Sequence, residues 1–178
     1  PEDMTWLLQD ISSEWNGASG TVNGLGSSVT ITSGTFENKT HISGLPTLHL
    51  DVTTQACQGG QIFATMFDDT ANLRLGHATM DIRYRDGGYE AKATAPASQY
   101  TMLMEFNPLD IVIPAGHSLR IELTETGEDY LPSPCSTNPL GGLTINGGVI
   151  GLPLIDRPPS HEAWFLAPPW WDQQPIPA

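Results

Sequence analysis

Few residues of this chain stand in the patterns that enzymatic chemistry requires. The motif Gly-x-Ser-x-Gly, which places a nucleophilic serine on a strand-to-helix turn, is absent from the 178 residues. The nearest pairing of a base with a nucleophile is His117 beside Ser118. Because adjacent residues of a strand point to opposite faces, we do not expect these two side chains to share a hydrogen bond. The sequence therefore predicts no catalytic residue.

The spacing of the histidines does not indicate a metal site either. The five histidines include no His-x-His or His-x-x-x-His pair, the spacings that bring two imidazoles to one metal ion. Carboxylates do cluster, at Asp68 and Asp69 and again at Glu128 and Asp129, and calcium prefers several such oxygens. The favoured interpretation is two solvated acidic loops, with structural calcium at these four residues as the alternative. No other cofactor is predicted.

The candidate binding residues are three tryptophans in the Pro-rich segment 156–178, namely Trp164, Trp170 and Trp171. Aromatic rings on β-sandwiches can stack on sugar rings. Tryptophans flanked by prolines more often cover an apolar patch or contact a neighbouring domain, and this is the favoured interpretation.

The charge argues against two classes of partner. A net charge of −13 disfavours nucleic acid, whose affinity comes chiefly from neutralising phosphates. The same charge disfavours anionic membrane surfaces, and the chain contains no run of 18 or more apolar residues. An acidic chain of this kind is typical of secreted proteins, and a secreted location is the prediction.

The two cysteines, Cys57 and Cys135, stand far apart and outside any Cys-x-x-Cys motif. This pattern favours one structural disulfide in an exported protein, with two unrelated thiols as the alternative. The sequence begins at Pro1 and lacks an initiator methionine, so we expect a mature or excised part of a longer protein.

The elements that must position these residues are strands. Apolar residues occupy every second position in several segments, which is typical of strands with one buried face. The 18 glycines and 15 prolines are dispersed, as expected of many short strands. The prediction is an all-β jelly-roll β-sandwich. The alternating residues are Leu48, Leu50, Val52, Tyr100, Met102, Met104, Phe106, Leu119, Ile121 and Leu123.

The domain organisation is an entry segment at 1–25, a sandwich at 26–155 and a tail at 156–178. A weak helical pattern covers 4–11, a turn-rich segment covers 32–44, and an irregular crossover covers 89–98. Strands are predicted at 28–32, 46–54, 61–67, 77–85, 99–106, 110–113 and 117–125, with one or two more in 141–155.

Four segments resemble, in order, the C-terminal jelly-roll domain of X-prolyl dipeptidyl peptidases and cocaine esterase. They are ITSGTFENKTHISGLP at 31–46, GQIFATMFDD at 60–69, LRLGHA at 73–78 and IPAGHSLRIEL at 113–123. Ser118 departs from the family pattern, which has arginine there. The resemblance implies a galactose-binding-domain-like sandwich packed on an α/β-hydrolase domain. It also implies that the Ser-Asp-His machinery belongs to that other domain and maps onto no residue here.

The leading hypothesis is thus a non-catalytic accessory domain of a larger secreted serine hydrolase or peptidase. Its partner would be a catalytic α/β-hydrolase domain of the same polypeptide, or a second copy of itself. The alternative is a carbohydrate-binding module that uses the exposed tryptophans, with or without calcium. A self-sufficient hydrolase acting through an acidic pair is a third, more distant hypothesis.

Overall fold

The regular structure is almost entirely β-strand, as the alternation predicted. A computed structural model describes residues 16–17, 20–22, 26–55, 60–127, 141–155 and 163–165. In these residues the one helical element is a 3₁₀ turn at Ile82–Tyr84, and no helix is long and apolar enough to cross a bilayer. The strands are β1 (Asn16–Gly17), β2 (Gly20–Val22), β3 (Val29–Thr32), β4 (Thr40–Gly44), β5 (Thr47–Thr54), β6 (Gln61–Asp68), β7 (Leu73–Asp81), β8 (Gln99–Glu105), β9 (Leu109–Ile113), β10 (Leu119–Thr124), β11 (Leu143–Gly151), β12 (Leu154–Ile155) and β13 (Ala163–Phe165).

The strands pair antiparallel in three sheets. Sheet 1 has the order β1-β3-β10-β6-β7, sheet 2 has the order β13-β11-β5-β8 with β2 also on β11, and sheet 3 has the order β12-β4-β9. Burial alternates along β5 and β8, so that one face of sheet 2 is apolar and the other is partly solvated. This arrangement confirms a β-sandwich. The jelly-roll order of strands remains a prediction.

One apolar core joins the inner faces of the sheets. Its side chains come from sheets 1, 2 and 3 and pack in a single cluster. Burying each side chain of leucine size contributes roughly 1.5–3 kcal/mol before the entropy of ordering is subtracted. The members with no exposed surface include Ile31, Ile42, Leu48, Leu50, Val52, Ile62, Met66, Met102, Met104, Leu119, Ile121 and Leu123.

Two elements differ from the predicted ones. The strand predicted at 77–85 begins at Leu73 and ends at Asp81, where the Asp81 carboxylate accepts the N–H of Arg83 at 2.9 Å and starts the 3₁₀ turn. The segment predicted to be turn-rich contains β4, in which Thr40 and Ile42 are buried. Ile42 is the single strongly apolar residue of β4, so no alternation is visible in its sequence.

A bulge interrupts β11 beside β5. Asn146 is skipped in the register between Ile145 and Gly147, and its amide nitrogen donates to the Thr53 hydroxyl at 2.8 Å. The extra residue shifts the two-residue period by one. Ile145 before the bulge and Ile150 after it therefore both belong to the core.

The predicted entry and tail segments contribute short strands to the sheets. β1 pairs with β3, β2 pairs with β11, and β13 pairs with β11 from the other end of the chain. The helical pattern at 4–11 lies outside the described residues.

Candidate functional site

Two of the segments that carry the family resemblance meet in an aspartate–histidine pair. β6 ends at Asp68, and His117 precedes β10, the neighbour of β6 in sheet 1. The antiparallel register places Leu119 opposite Asp68, which brings His117 to the same end of the sandwich. The Nδ1 atom of His117 lies 2.7 Å from Oδ2 of Asp68. The aspartate side chain is 6% exposed and the histidine side chain 27% exposed.

The same carboxylate closes the turn between β6 and β7. Its Oδ1 atom accepts the backbone N–H of Ala71 at 3.0 Å, and Asn72 completes the turn in the left-handed region with φ +50°. Burial by itself raises the pKa of Asp68. The hydrogen bond from Ala71, together with the hydrogen bond and the charge of His117, outweighs burial and leaves this pKa below its ordinary value.

Ser118 does not complete a catalytic arrangement with this pair. Its hydroxyl lies 3.5 Å from the Thr70 hydroxyl, and its backbone N–H donates to that hydroxyl at 3.2 Å. Nucleophilic catalysis requires the nucleophile to lie within hydrogen-bond reach of its base. Asp68 and His117 instead connect two turns, because the backbone N–H of Asp69 also donates to the Ser118 carbonyl at 2.9 Å.

Asp69 is held by an arginine on the outer face of sheet 1. The Nε atom of Arg120 donates to Asp69 at 2.7 Å, and its Nη1 atom contacts Glu122. The guanidinium group stacks 4.3 Å above the centre of the Phe67 ring. This cluster supports the turn after β6 from a second side.

The four carboxylates predicted to bind calcium fall into two groups, of which the structure describes one. Asp68 and Asp69 already bind His117 and Arg120, and the described part of the chain holds no group of three or more metal-ligating side chains. Glu128 and Asp129 lie outside the described residues. A calcium site at these four carboxylates therefore stays a prediction.

A second aspartate–histidine pair lies on the surface of sheet 3. The Nε2 atom of His41 is 2.6 Å from Oδ1 of Asp110, and their side chains are 38% and 76% exposed. The hydrogen bond from His41 is the main cause that lowers the pKa of Asp110.

Among the residues that the structure describes, the most exposed aromatic side chain is one that the sequence patterns missed. Tyr89 is fully exposed in the connection between β7 and β8. We predicted an irregular crossover from this residue onward. The only signal at this point is the glycine pair Gly87–Gly88 directly before an aromatic residue.

Of the other predicted site residues, the structure describes the backbone of one. Trp164 belongs to β13, where the register puts it opposite Val149. The remaining candidates lie outside the described residues, and they are Cys57, Cys135, Trp170 and Trp171.

An all-β sandwich whose aspartate–histidine pair connects two turns fits the class of non-catalytic domains. The family model described as the X-Pro dipeptidyl-peptidase C-terminal non-catalytic domain matches residues 8–144, and the chain belongs to this family. Membership confirms the resemblance that the four segments carried, and it confirms that this domain is not itself the enzyme. It does not favour the carbohydrate-binding alternative.

Solved structures share the fold at low identity. A CocE/NonD family hydrolase from Staphylococcus aureus is 11% identical with a TM-score of 0.60, over 79% of this chain and 33% of its own. An α-amino acid ester hydrolase is 11% identical with a TM-score of 0.63, over 80% and 33%. An aminopeptidase from Thaumarchaeota archaeon is 12% identical with a TM-score of 0.55, over 72% and 26%. The chain thus spans about a third or less of these proteins. No curated protein matches it in sequence.

Proposed function

We propose that this chain packs against an α/β-hydrolase catalytic domain of the same polypeptide and gives that domain a rigid surface without supplying reacting groups. The observation that carries the proposal is the match of residues 8–144 to a family of C-terminal non-catalytic domains. The length of the similar structures supports it, because this chain corresponds to about a third of each hydrolase.

The chemistry of the described residues is consistent with this role. The buried Asp68 carboxylate binds His117 and the N–H of Ala71, and Arg120 binds Asp69 and stacks on Phe67. These groups hold the turns at one end of the sandwich. A support domain needs such fixed turns, since a partner binds a pre-ordered surface at a smaller entropic cost.

The names of the similar proteins suggest a substrate class for the partner domain. A dipeptidyl peptidase, an aminopeptidase and an α-amino acid ester hydrolase all cleave bonds formed by an amino-acyl group. Our proposal extends to this class: the catalytic partner hydrolyses amides or esters of amino acids or short peptides.

The test begins with the complete reading frame that contains this sequence. We expect that frame to encode an α/β-hydrolase domain, and the complete polypeptide to cleave aminoacyl p-nitroanilides or p-nitrophenyl esters. The 178-residue chain is the matched control and should give no turnover above buffer. Differential scanning calorimetry of the complete polypeptide should show both domains unfolding in one coupled transition. A frame without a hydrolase domain, or two independent transitions, contradicts the proposal.

A further inference from the structure

A loop of this domain exposes an aromatic side chain. Residues 85–93, here called the Tyr89 loop, follow the 3₁₀ turn after β7. Tyr89 is fully exposed near the middle of the loop, and Tyr84 at its base is 38% exposed. Tyrosine is among the residues that contribute most to binding energy at protein interfaces.

The loop is closed by its own backbone and charges. The N–H of Lys92 donates to the Arg83 carbonyl at 2.8 Å, and the N–H of Gly87 donates to the Tyr84 carbonyl at 2.8 Å. Lys92 also forms an ion pair with Asp86. Gly87 has φ +71°, a value that residues with a side chain rarely adopt, so this turn depends on glycine.

Further contacts attach the loop to sheet 2. The guanidinium of Arg85 lies 4.5 Å from the centre of the Tyr100 ring on β8 and donates to the Ile82 carbonyl at 3.0 Å. The Tyr100 hydroxyl in turn accepts the N–H of Ala95 at 2.8 Å. Both ends of the loop are therefore fixed to the fold, and this lowers the entropic cost when Tyr89 binds a partner.

The charges of the loop indicate the chemistry of the partner. Within residues 85–93, all of which the structure describes, Glu90 is the charged side chain that no intramolecular contact occupies. It stands directly beside Tyr89, so the exposed ring has an anionic neighbour. A complementary surface offers an apolar pocket with a basic residue at its rim. A second copy of this chain, with a net charge of −13, is a poor match.

We infer that Tyr89 inserts into an apolar pocket on the α/β-hydrolase domain and that Glu90 pairs with a lysine or arginine at the rim of that pocket. The inference rests on the proposed function, which supplies the partner. It adds the surface through which the two domains meet.

The test uses the complete polypeptide with the photo-cross-linking residue p-benzoylphenylalanine in place of Tyr89. Matched variants carry the same residue at Leu103 on sheet 2 or at Val112 on sheet 3, which are 40% and 44% exposed. We expect residue 89 to cross-link to the hydrolase domain. Cross-links from position 103 or 112 and none from position 89 would overturn the inference and leave the proposed function standing. Cross-linking of residue 89 to a second copy would also overturn it. If none of the three positions reaches the hydrolase domain, the inference is again wrong.

Substitutions give an independent readout. In the complete polypeptide, Tyr89→Ala should speed amide-hydrogen exchange of the cross-linked hydrolase segment by about tenfold or more, and Tyr89→Phe by much less. Glu90→Gln should have a smaller effect that disappears at high salt. The 178-residue chain carrying Tyr89→Ala should unfold at the temperature of the unchanged chain, because the ring is fully exposed. Unchanged exchange in Tyr89→Ala would overturn the inference.

Discussion

Asp68 and Asp110 each bind a histidine at a similar distance, but their side chains are 6% and 76% exposed. We expect Asp68→Ala to lower the free energy of unfolding by about 2–4 kcal/mol, because His117 and the N–H of Ala71 lose a charged acceptor. The matched variant Asp110→Ala should cause no measurable loss, since exposed ion pairs contribute little. Urea unfolding at neutral pH measures both. Equal losses of unfolding free energy would contradict the view that the Asp68–His117 pair stabilises the fold and the His41–Asp110 pair does not.

The pKa of Asp68 also predicts how its contribution varies with pH. Because this pKa is lowered in the folded state, the stabilisation is fully present above the pKa of the unfolded chain and is lost as the pH falls through the folded pKa. The gap in unfolding free energy between the unchanged chain and Asp68→Asn should therefore be constant through weakly acidic pH. It should shrink in strongly acidic solution. Urea titrations at a series of acidic pH values test this, and a gap that widens there would show that the sign is wrong.

At the scale of single residues, the sequence drew attention to Asp68 and His117 but did not predict the hydrogen bond between them. Asp68 and His117 both stand in segments that resemble family motifs, yet 49 residues separate them. Their contact depends on β6 and β10 being neighbours and on the register between them. Neither follows from alternation, which reports only which face a residue occupies.

At the scale of elements, the free edge of β7 is capped by one residue. Asn107 donates its backbone N–H to the His77 carbonyl at 3.1 Å, and its side-chain oxygen accepts the His77 N–H at 2.8 Å. A Cβ atom at Gly76 would lie 3.0 Å from that oxygen, so glycine permits the close approach. Asn107 thereby protects an edge that could otherwise pair with another chain.

Replacing Asn107 should loosen this edge. Asn107→Ala removes the side-chain acceptor, and we expect a loss of about 1 kcal/mol in unfolding free energy. Exchange of the His77 amide should accelerate, as hydrogen-exchange mass spectrometry can show. Asn107→Asp keeps an acceptor oxygen and serves as the matched control. If the alanine and aspartate variants behave alike, the side-chain contact does not protect the edge.

The residues that flank the loops of Cys57 and Cys135 lie close together, and this supports the predicted disulfide. The N–H of Gln55 donates to the Gly142 carbonyl at 3.3 Å, and the Gln61 amide donates to the Glu125 carbonyl at 3.0 Å. The loop that contains Cys57 therefore starts and ends beside the loop that contains Cys135. From these anchors the chain can span about 7 Å over two residues and about 25 Å over seven, enough for the cysteines to meet.

We expect the oxidised protein to contain a Cys57–Cys135 disulfide, as an exported protein would. Intact-mass measurement should show two hydrogens fewer than in the reduced form. The double variant Cys57→Ser, Cys135→Ser should be less stable by about 2–4 kcal/mol. Two thiols that react with a thiol reagent in the air-oxidised native protein would exclude the bond.

Regular strands were predictable and interrupted ones were not. β8, β10 and β5 from Leu48 onward alternate without a break, so their buried apolar residues were identified from sequence. β7 and β11 contain bulges, each of which changes the face that later residues occupy. A two-residue period read across a bulge assigns part of the strand to the wrong face.

At the scale of the whole molecule, several basic side chains already form ion pairs with carboxylates of the same chain. Arg83 binds Asp81, Lys92 binds Asp86, and Arg120 binds Asp69 and Glu122. With a net charge of −13, the surface left for other molecules is strongly acidic. The amino-acid composition alone predicted that this surface is negatively charged. Of these four ion pairs, the one between Arg120 and Asp69 depends on how the strands pair, whereas the partners of the other three are close in sequence.

Added salt should stabilise the chain, because it screens repulsion among the excess carboxylates. Between low salt and about 0.5 M NaCl we expect a gain of about 1 kcal/mol, or roughly 2–4 °C in Tm. The double variant Glu37→Lys, Glu105→Lys reverses two exposed charges and should show a smaller gain. Thermal unfolding followed by circular dichroism measures both. A Tm that falls with salt in the unchanged chain would show that ion pairs outweigh repulsion.

The bulge at Asn146 decides which changes of length this part of the gene can absorb. Deleting that one residue would remove the bulge and keep the pairs on both sides of it, with Ile145 opposite Val52 and Ile150 opposite Leu48. Deleting Thr144 instead would close the bulge by moving Ile145 to the outer face and Asn146 inward. A lost codon at position 146 should therefore be tolerated in descendants of this gene, whereas a lost codon at position 144 should not.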